Sequence, residues 1–453
     1  MRLMNHTRLI PIRCAAWLLL LLLITACLPQ APQVALPSSP TQVTTSEVRT
    51  IRDVLATPSS RAATAAPPTP EPNASPSSPS GQLTLWTVEA VSSQAEDKAA
   101  EVFASGLKTF EEGYPDITVS VEIKNESGKG SVLDYLRAAS QVAPSVLPDV
   151  VVLNTVDLAP VARAGLIVPL DELISTSLAA DLVPGARAAS TVDGQLVGMP
   201  FEMDVEHLIY NTNKVTFPPL LWTDVISANT TYVFPAKGRN GLVNDAFIIQ
   251  YLALDGRLQE DGLPFIEEQK LRAILEYYHQ GVEEGFIPAH VLEISAPDEI
   301  WSSYLAAEVG IAHVNSHRFL EDRGVLHTTR FAAIPTRDGN PVTIARGRAL
   351  AVVNHDVDRQ AMAARLIEWF MEPDNNAAWS RATAYLPTRY AAFDKMEDTD
   401  PYWSFLRNQL EVAVPPPEYD QVGRVLQQAV IEVLSRETSP GEAAAAAIEA
   451  ITP

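Results

Sequence analysis

Apolar and polar side chains alternate over Leu83-Thr84-Leu85-Trp86-Thr87, which predicts a strand. Val102, Phe103, Leu107 and Phe110 then recur at helical spacing, and Gly113 and Pro115 end that helix. Ile117, Val119, Val121 and Ile123 alternate with Thr118, Ser120 and Glu122 as a second strand. A helix is predicted over 131–142, Pro144 and Pro148 break the chain, and Val150-Val151-Val152-Leu153-Asn154 reads as a buried strand. Strand, helix, strand, helix, strand predicts an α/β unit with a parallel sheet. Ligands of open α/β sheets gather beyond the carboxyl ends of the strands. Here those ends are Thr87-Val88-Glu89 and Asn154-Thr155-Val156-Asp157.

The pattern restarts past Leu196. Val197–Val205 and Leu208–Asn211 read as adjacent strands, with Glu202 and Asp204 set among apolar neighbours. Leu271, Ile274, Leu275 and Tyr278 mark a helix over 266–278 with Gly281 as its stop. Val309–Val314, Phe331–Ile334 and Ala349–Val353 read as strands. A helix bearing Met362, Leu366, Trp369 and Phe370 closes at Pro373, and Val422, Val425, Leu426, Ala429, Val433 and Leu434 mark another. Ser439-Pro440-Gly441-Glu442 opens the last helix as a capping box with proline in its first turn. No short-period repeat is present, and two α/β lobes fit this layout.

The N-terminus follows different rules. Arg2, Arg8 and Arg13 precede an apolar run, Cys14–Ile24, that is too short for the roughly 20 residues of a spanning helix and suits a signal-peptide core. The run ends in Leu23-Ile24-Thr25-Ala26-Cys27, which resembles the lipobox of bacterial lipoproteins. That resemblance implies a signal peptide over 1–26 and lipid attachment at Cys27; the alternative is an ordinary signal peptide with an incidental cysteine. Residues 27–81 are crowded with Pro, Ser, Thr and Ala, too little apolar area to repay ordering, and read as a disordered tether. The two cysteines, Cys14 and Cys27, leave the rest of the chain no disulfide framework or cysteine metal site. A net charge of −22, from 33 Lys+Arg against 55 Asp+Glu, argues against nucleic acid, whose phosphates demand a basic surplus.

From Leu83 onward the order of features resembles the maltose-binding-protein type of extracellular solute-binding protein, family 1, which serves ABC sugar importers. The resemblance is carried by Phe110-Glu111-Glu112-Gly113-Tyr114-Pro115-Asp116-Ile117-Thr118-Val119, Pro148-Asp149-Val150-Val151, Leu158-Ala159-Pro160 and Gly165-Leu166-Ile167-Val168-Pro169-Leu170. Gly194-Gln195-Leu196-Val197-Gly198-Met199-Pro200 running into Leu208-Ile209-Tyr210-Asn211, Ala333-Ile334-Pro335, and Leu386-Pro387-Thr388-Arg389 continue it. It implies an α/β, two-lobed periplasmic-binding-protein type II fold with a hinge and an interlobe cleft. Lobe 1 would comprise 82–203 plus 339–390 and lobe 2 204–338 plus 391–453, with crossings near Phe201–Asp204, Pro335–Asp338 and Arg389–Phe393. It further implies a monomeric, lipid-anchored binding component on the outer face of the cell membrane. Its partners would be a small solute, a carbohydrate, and the transmembrane subunits of an ABC permease, and no cofactor is implied.

Carried over residue by residue, the resemblance places ligand contacts at Thr87 and Glu89, at Asn154 and Asp157, and at Asn315 and His317 after a strand. It adds Trp301 and Tyr304 on a cleft-edge helix, Arg346 where the family commonly has a glycine pair, Tyr385, and Tyr419 before a late helix. Sugars need aromatic faces for their C–H surfaces and carboxylates or amides for their hydroxyls, and this inventory contains both. Plainer readings stand beside it. Glu202 and Asp204 either contact the ligand or pin the hinge, and Trp301 and Tyr304 either contact it or pack. Trp86, Trp222, Trp369 and Trp379 read as packing. Arg346, His317 and Arg318 would favour an anionic ligand if they face the cleft. His313 and His317 lack a third metal ligand at useful spacing, so no metal site is expected. Gly128-Lys129-Gly130-Ser131 lacks the earlier glycine and the Ser/Thr directly after lysine that a phosphate loop requires. Two other classes stay open: a tethered surface hydrolase acting on carbohydrate, and a ligand-presenting subunit of a sensor.

Overall fold

The computed structural model describes residues 80–452 apart from 397–399 and 419. The expected leader, Cys27, nearly all of the tether, and Tyr419 lie outside the described residues. Among the described residues no helix is long and apolar enough to cross a membrane.

The first half builds as its alternation requires. β1 (Gly81–Val88) runs parallel to β2 (Ile117–Lys124) along its whole length and pairs with β3 (Val150–Asn154) through Leu85 and Trp86. Leu83, Leu85 and Ile117 face inward and are buried. α1 (Asp97–Gly113) lays Phe103 edge-on to Trp379 at 6.5 Å and Phe110 at 6.3 Å from Trp369. α2 (Val132–Val142) is capped by Ser131, whose hydroxyl accepts the Asp134 N–H at 3.1 Å, and buries Leu136 and Ala139.

The 13-residue strand β4 (Met199–Asn211) spans the region expected to hold two strands. The polar pair Glu206-His207 reads as a break in sequence, yet both side chains are buried inside the strand. His207 can be, because its Nδ1–H donates to the Leu208 carbonyl at 3.0 Å and its Nε2 accepts the Tyr402 hydroxyl at 2.7 Å. α3 (Asp245–Ala253) and α4 (Glu268–Glu284) follow. Gly281, expected to stop α4, lies inside it, where a Cβ would come within 2.3 Å of Ile287 Cδ1. The helix ends instead at Gly285, in the left-handed region with φ 81°.

β5 (Ile311–Asn315), α5 (Ser316–Asp322), β6 (Thr329–Ala332) and β7 (Thr343–Val352) come next. α6 (Val357–Phe370) is followed by α7 (Pro373–Thr383), so Pro373 opens a second helix as well as closing the first. α8 (Pro401–Glu411), α9 (Asp420–Leu434) and α10 (Pro440–Ile451) complete the chain, and the Ser439–Glu442 capping box is in place.

The sheet order is β2-β1-β3-β7-β4-β5 and then the short strand Tyr232–Val233, with β6 also paired to β4. Backbone pairing is therefore continuous, because β4 pairs with β7 along Met199–Val205 and with β5 along Glu206–Tyr210. The side chains nevertheless divide into two large cores. Phe201 and Ala349 belong to the first, while Met203, Ile344 and Ala345 belong to the second. The chain thus recrosses on β7 between Ala345 and Ala349, later than Pro335–Asp338, because Ile344 and Ala345 face the second core. It crosses again between Trp379 and Leu386, and Leu386 exchanges backbone hydrogen bonds with Met203 at 2.7 and 3.0 Å. The short helix Pro184–Ala189, expected in the first lobe, packs Ala186 and Ala189 into the second core. Gly185 allows this, since a Cβ there would lie 2.2 Å from the Leu410 carbonyl oxygen.

Candidate ligand-binding site

At the crossing, β4 and β7 are antiparallel, with Arg346 opposite Asp204 and Arg348 opposite Glu202. Alternate residues of a strand share a face. Glu202, Asp204 and Glu206 therefore form one polar row and Arg346 and Arg348 a facing row. On the other face Met203 and Val205 enter the second core. Gly347 leaves no room there, because a Cβ would fall 2.0 Å from the Glu202 carbonyl oxygen and 2.6 Å from Met203 Sδ.

Asp204, Glu206 and Arg346 of these rows floor a cavity of about 540 Å³. Asp204, Glu206, Ile344 and Arg346 come from the crossing strands, and residues 238–240 and 242–246, Ser295 and Asn315 form the second-lobe wall. Val156, half exposed, reaches it from the first lobe. Among the described residues no aromatic side chain lines it.

Asp204 accepts the Ser316 hydroxyl at 2.6 Å and the His317 N–H at 3.0 Å, both on Oδ1. Burial still pushes its carboxyl above the ordinary range, against those two hydrogen bonds. Burial and nearby Asp245 raise Glu206, while His313 at 2.6 Å and Arg346 at 3.6 Å oppose the shift. Arg346 also holds Asp245 through two nitrogens, each at 2.7 Å. In the first lobe, burial raises Asp157, opposed by its hydrogen bond with Asn154 and by the charge of Arg137. Burial disfavours the charge on Arg348, but Glu202, Tyr385 and Glu126 together outweigh it and the guanidinium is held above its ordinary value.

The structure places the expected contact residues in three ways. Asp204, Asn315 and Arg346 line the cavity. Asn154 and Asp157 stand at the end of β3, and Glu89 is exposed just past β1. Tyr385 lies flat on His317, with centroids 4.1 Å apart and planes 3° apart, and its hydroxyl is pushed up to about 12 by burial. The others have partners within the fold. Thr87 is buried and donates to the Val91 carbonyl at 2.7 Å. Glu202 accepts the Trp379 indole N–H at 2.7 Å and pairs with Arg348. Trp301 donates to Asp322 at 2.7 Å and Tyr304 to Thr329 at 3.0 Å, both within the second core, because the short helix that carries them turns that face inward. Arg318 is held by Glu321 and Asp322 over the Trp301 ring. Arg346 does face the cleft, but with carboxylates already upon it. Among the described residues no group of three metal-capable side chains occurs. Glu206, Asp245, Arg348 and Glu126 were not foreseen, although Glu202-x-Asp204-x-Glu206 and Arg346-x-Arg348 carry a period-2 signal for the floor.

Residues 107–404 match the family model of bacterial extracellular solute-binding proteins. The chain belongs to that family. This solute-binding protein is 23% identical over 193 residues to a maltotriose-binding protein of Pyrococcus abyssi, an alignment covering 41% of this chain and 40% of that relative. The chain thus spans well under half the length of that curated relative. Its fold is shared with the cyclic α-maltosyl-1,6-maltose-binding protein of Arthrobacter globiformis, with TM-score 0.69, 21% identity, and coverage of 82% and 98% of the two chains. The sugar-binding protein MalE of Xanthomonas citri gives TM-score 0.68, 19% identity, and coverage of 82% and 96%. The architecture is accordingly the two-lobed α/β periplasmic-binding-protein fold of the maltose-binding type. Family membership places the solute-binding protein outside the cytoplasm and makes it a binding protein rather than an enzyme, which removes the tethered-hydrolase reading.

Proposed function

We propose that this solute-binding protein captures a sugar or sugar derivative between its lobes and presents it to the transmembrane subunits of an ABC importer. The observation that carries the reading is the polar floor at the crossing of β4 and β7. It sets Asp204, whose Oδ2 meets no protein group among the described residues, beside a cavity that Val156 of the first lobe also lines. Carboxylates with spare acceptor positions suit hydroxyl donors. The names of the relatives, for maltotriose and for a cyclic maltosyl-maltose, point to the same ligand class. Asp204, Asn315 and Arg346 would contact the solute from the floor and second lobe, and Glu89, Asn154 and Asp157 from the first. Tyr385 and His317 would border the hinge, and Glu202 would pin it. Contacts made only when the lobes close shift the population toward the closed state, which is the signal an importer reads. Processing before Cys27 and acylation of its thiol would tether the protein through residues 27–81. Cys27→Ala should then release it from the membrane fraction, and retention there would refute the anchor.

Thermal-shift screening against neutral sugars, sugar acids and polyols tests the capture reading. A solute at 100 times its Kd stabilises the folded state by about 2.7 kcal/mol. Such a solute recovered unchanged is the expected result. Chemical conversion of it, or no stabilisation by any of the three classes, would overturn the reading.

A further inference from the structure

Arg348 carries more carboxylate than its single charge balances. Its Nη1 holds Glu202, which is 1% exposed, and its Nη2 holds Glu126, which is 51% exposed. The arginine side chain itself is 11% exposed. Its Nε–H, on the same edge of the guanidinium as Nη2, is buried and has no acceptor among the described residues. Glu202 is fixed by its second partner, Trp379. Glu126 is not fixed. It sits at the exposed turn between β2 and α2, whose base is closed by backbone hydrogen bonds from Asn125 to Gly130 at 3.1 Å and from Ser131 to Gly128 at 3.2 Å. Gly128 and Gly130, with φ of 70° and 78°, supply that closed turn. Side-chain rotation alone therefore carries the Glu126 carboxylate into water while the loop stays in place.

This exchangeable contact lies where a solute would enter. Glu126 and Arg348 line a small recess with Val88, Asn154 and Asp157 at the carboxyl ends of β1 and β3. Arg348 is also two residues from Arg346 on the same strand face, about 7 Å away. A small solute touching Arg348 at one end thus reaches the Asp204 floor at the other.

We infer that Glu126 stands in for an acidic group of the solute, so that the ligand is a polyhydroxylated compound bearing a carboxylate. This rests on the solute-capture reading and narrows it. The solute carboxylate takes the Nη2 position that Glu126 vacates and also accepts from the orphaned Nε–H, the two-point geometry that arginine offers carboxylates. Its hydroxyls donate to Asp204. One carboxylate leaves as another arrives, so the exchange adds little to the repulsion from Asp157 and Asp204. A neutral hydroxyl brings guanidinium neither a negative charge nor a second acceptor oxygen in the right geometry, and so does not displace Glu126.

The test is calorimetric titration of the intact protein and of its Glu126→Ala and Glu126→Gln forms with glucose and glucuronate, and with galactose and galacturonate. Both substitutions lie on an exposed loop and leave the cores untouched. A uronate should bind the wild type and bind each variant about tenfold tighter, while its neutral partner changes less than twofold. Uronate affinity that is unchanged or weakened in both variants overturns the inference. So does binding of neutral sugars alone, which would leave solute capture standing. Failure of every sugar, neutral or acidic, to bind any form overturns both.

Discussion

At the residue scale, Asp204 holds its carboxyl in the cleft floor at a cost to stability. Asp204 keeps a half-buried carboxyl with a raised pKa, so the folded chain binds that proton more readily than the unfolded chain does. Stability then falls as pH rises from the ordinary carboxylate range through the raised value, above which the full cost is present. Asp204→Asn keeps an oxygen for Ser316 and His317 but removes the charge. It should raise the thermal midpoint at pH 7, with the gain closing as pH falls below the usual carboxylate range, and weaken solute binding at least about tenfold. Scanning calorimetry across pH, paired with titration, checks both halves. Glu202 and Asp204 stood out as charged residues among apolar neighbours, and Arg346 stood out only through the family resemblance. Glu206 and Arg348 repeat the same parity and were readable by the same rule. Asp245 and Glu126 were not, since each meets its arginine only through tertiary structure, 101 and 222 residues away. Trp301 was ambiguous because a large ring suits a core as well as a sugar face.

At the element scale, the hinge is a matter of close approach. β4 and β7 lie in register only because position 347 has no side chain, and the Leu386 segment is bonded to β4 at Met203. Gly347→Ala would drive a methyl group into the Glu202 carbonyl and part the strands. A cost of about 1–3 kcal/mol is expected from such overpacking, with solute affinity falling alongside it. Denaturant unfolding together with titration measures the two; an unchanged midpoint would show that the strands separate without cost. Elements with clean periodicity were legible, as were the Ser131 and Ser439 caps, because capping chemistry is local. Two signals misled. A buried, fully bonded His207 beside Glu206 looked like a strand break, and Gly281 looked like a helix stop although it serves packing against Ile287.

At the scale of the whole molecule, sequence order conveyed the two-lobed architecture but not the unbroken sheet. Strand pairing joins residues as distant as Glu202 and Arg348, and no local pattern records that. With closure carried by the crossing strands, spin labels at Ser127 and Lys237, exposed residues on the two lobes outside the cavity lining, should draw together at saturating solute. Pulsed dipolar spectroscopy reads the change, and an unaltered distance distribution would exclude hinge closure. The recrossing of the chain also has a consequence during synthesis. The first core begins at Leu83 but is completed only by residues from Ala349 to Trp379. A nascent chain of 342 residues therefore still lacks the whole strand that joins β3 to β4. The first core thus cannot close until most of the polypeptide exists, an order that would suit a chain leaving the cytoplasm while still open.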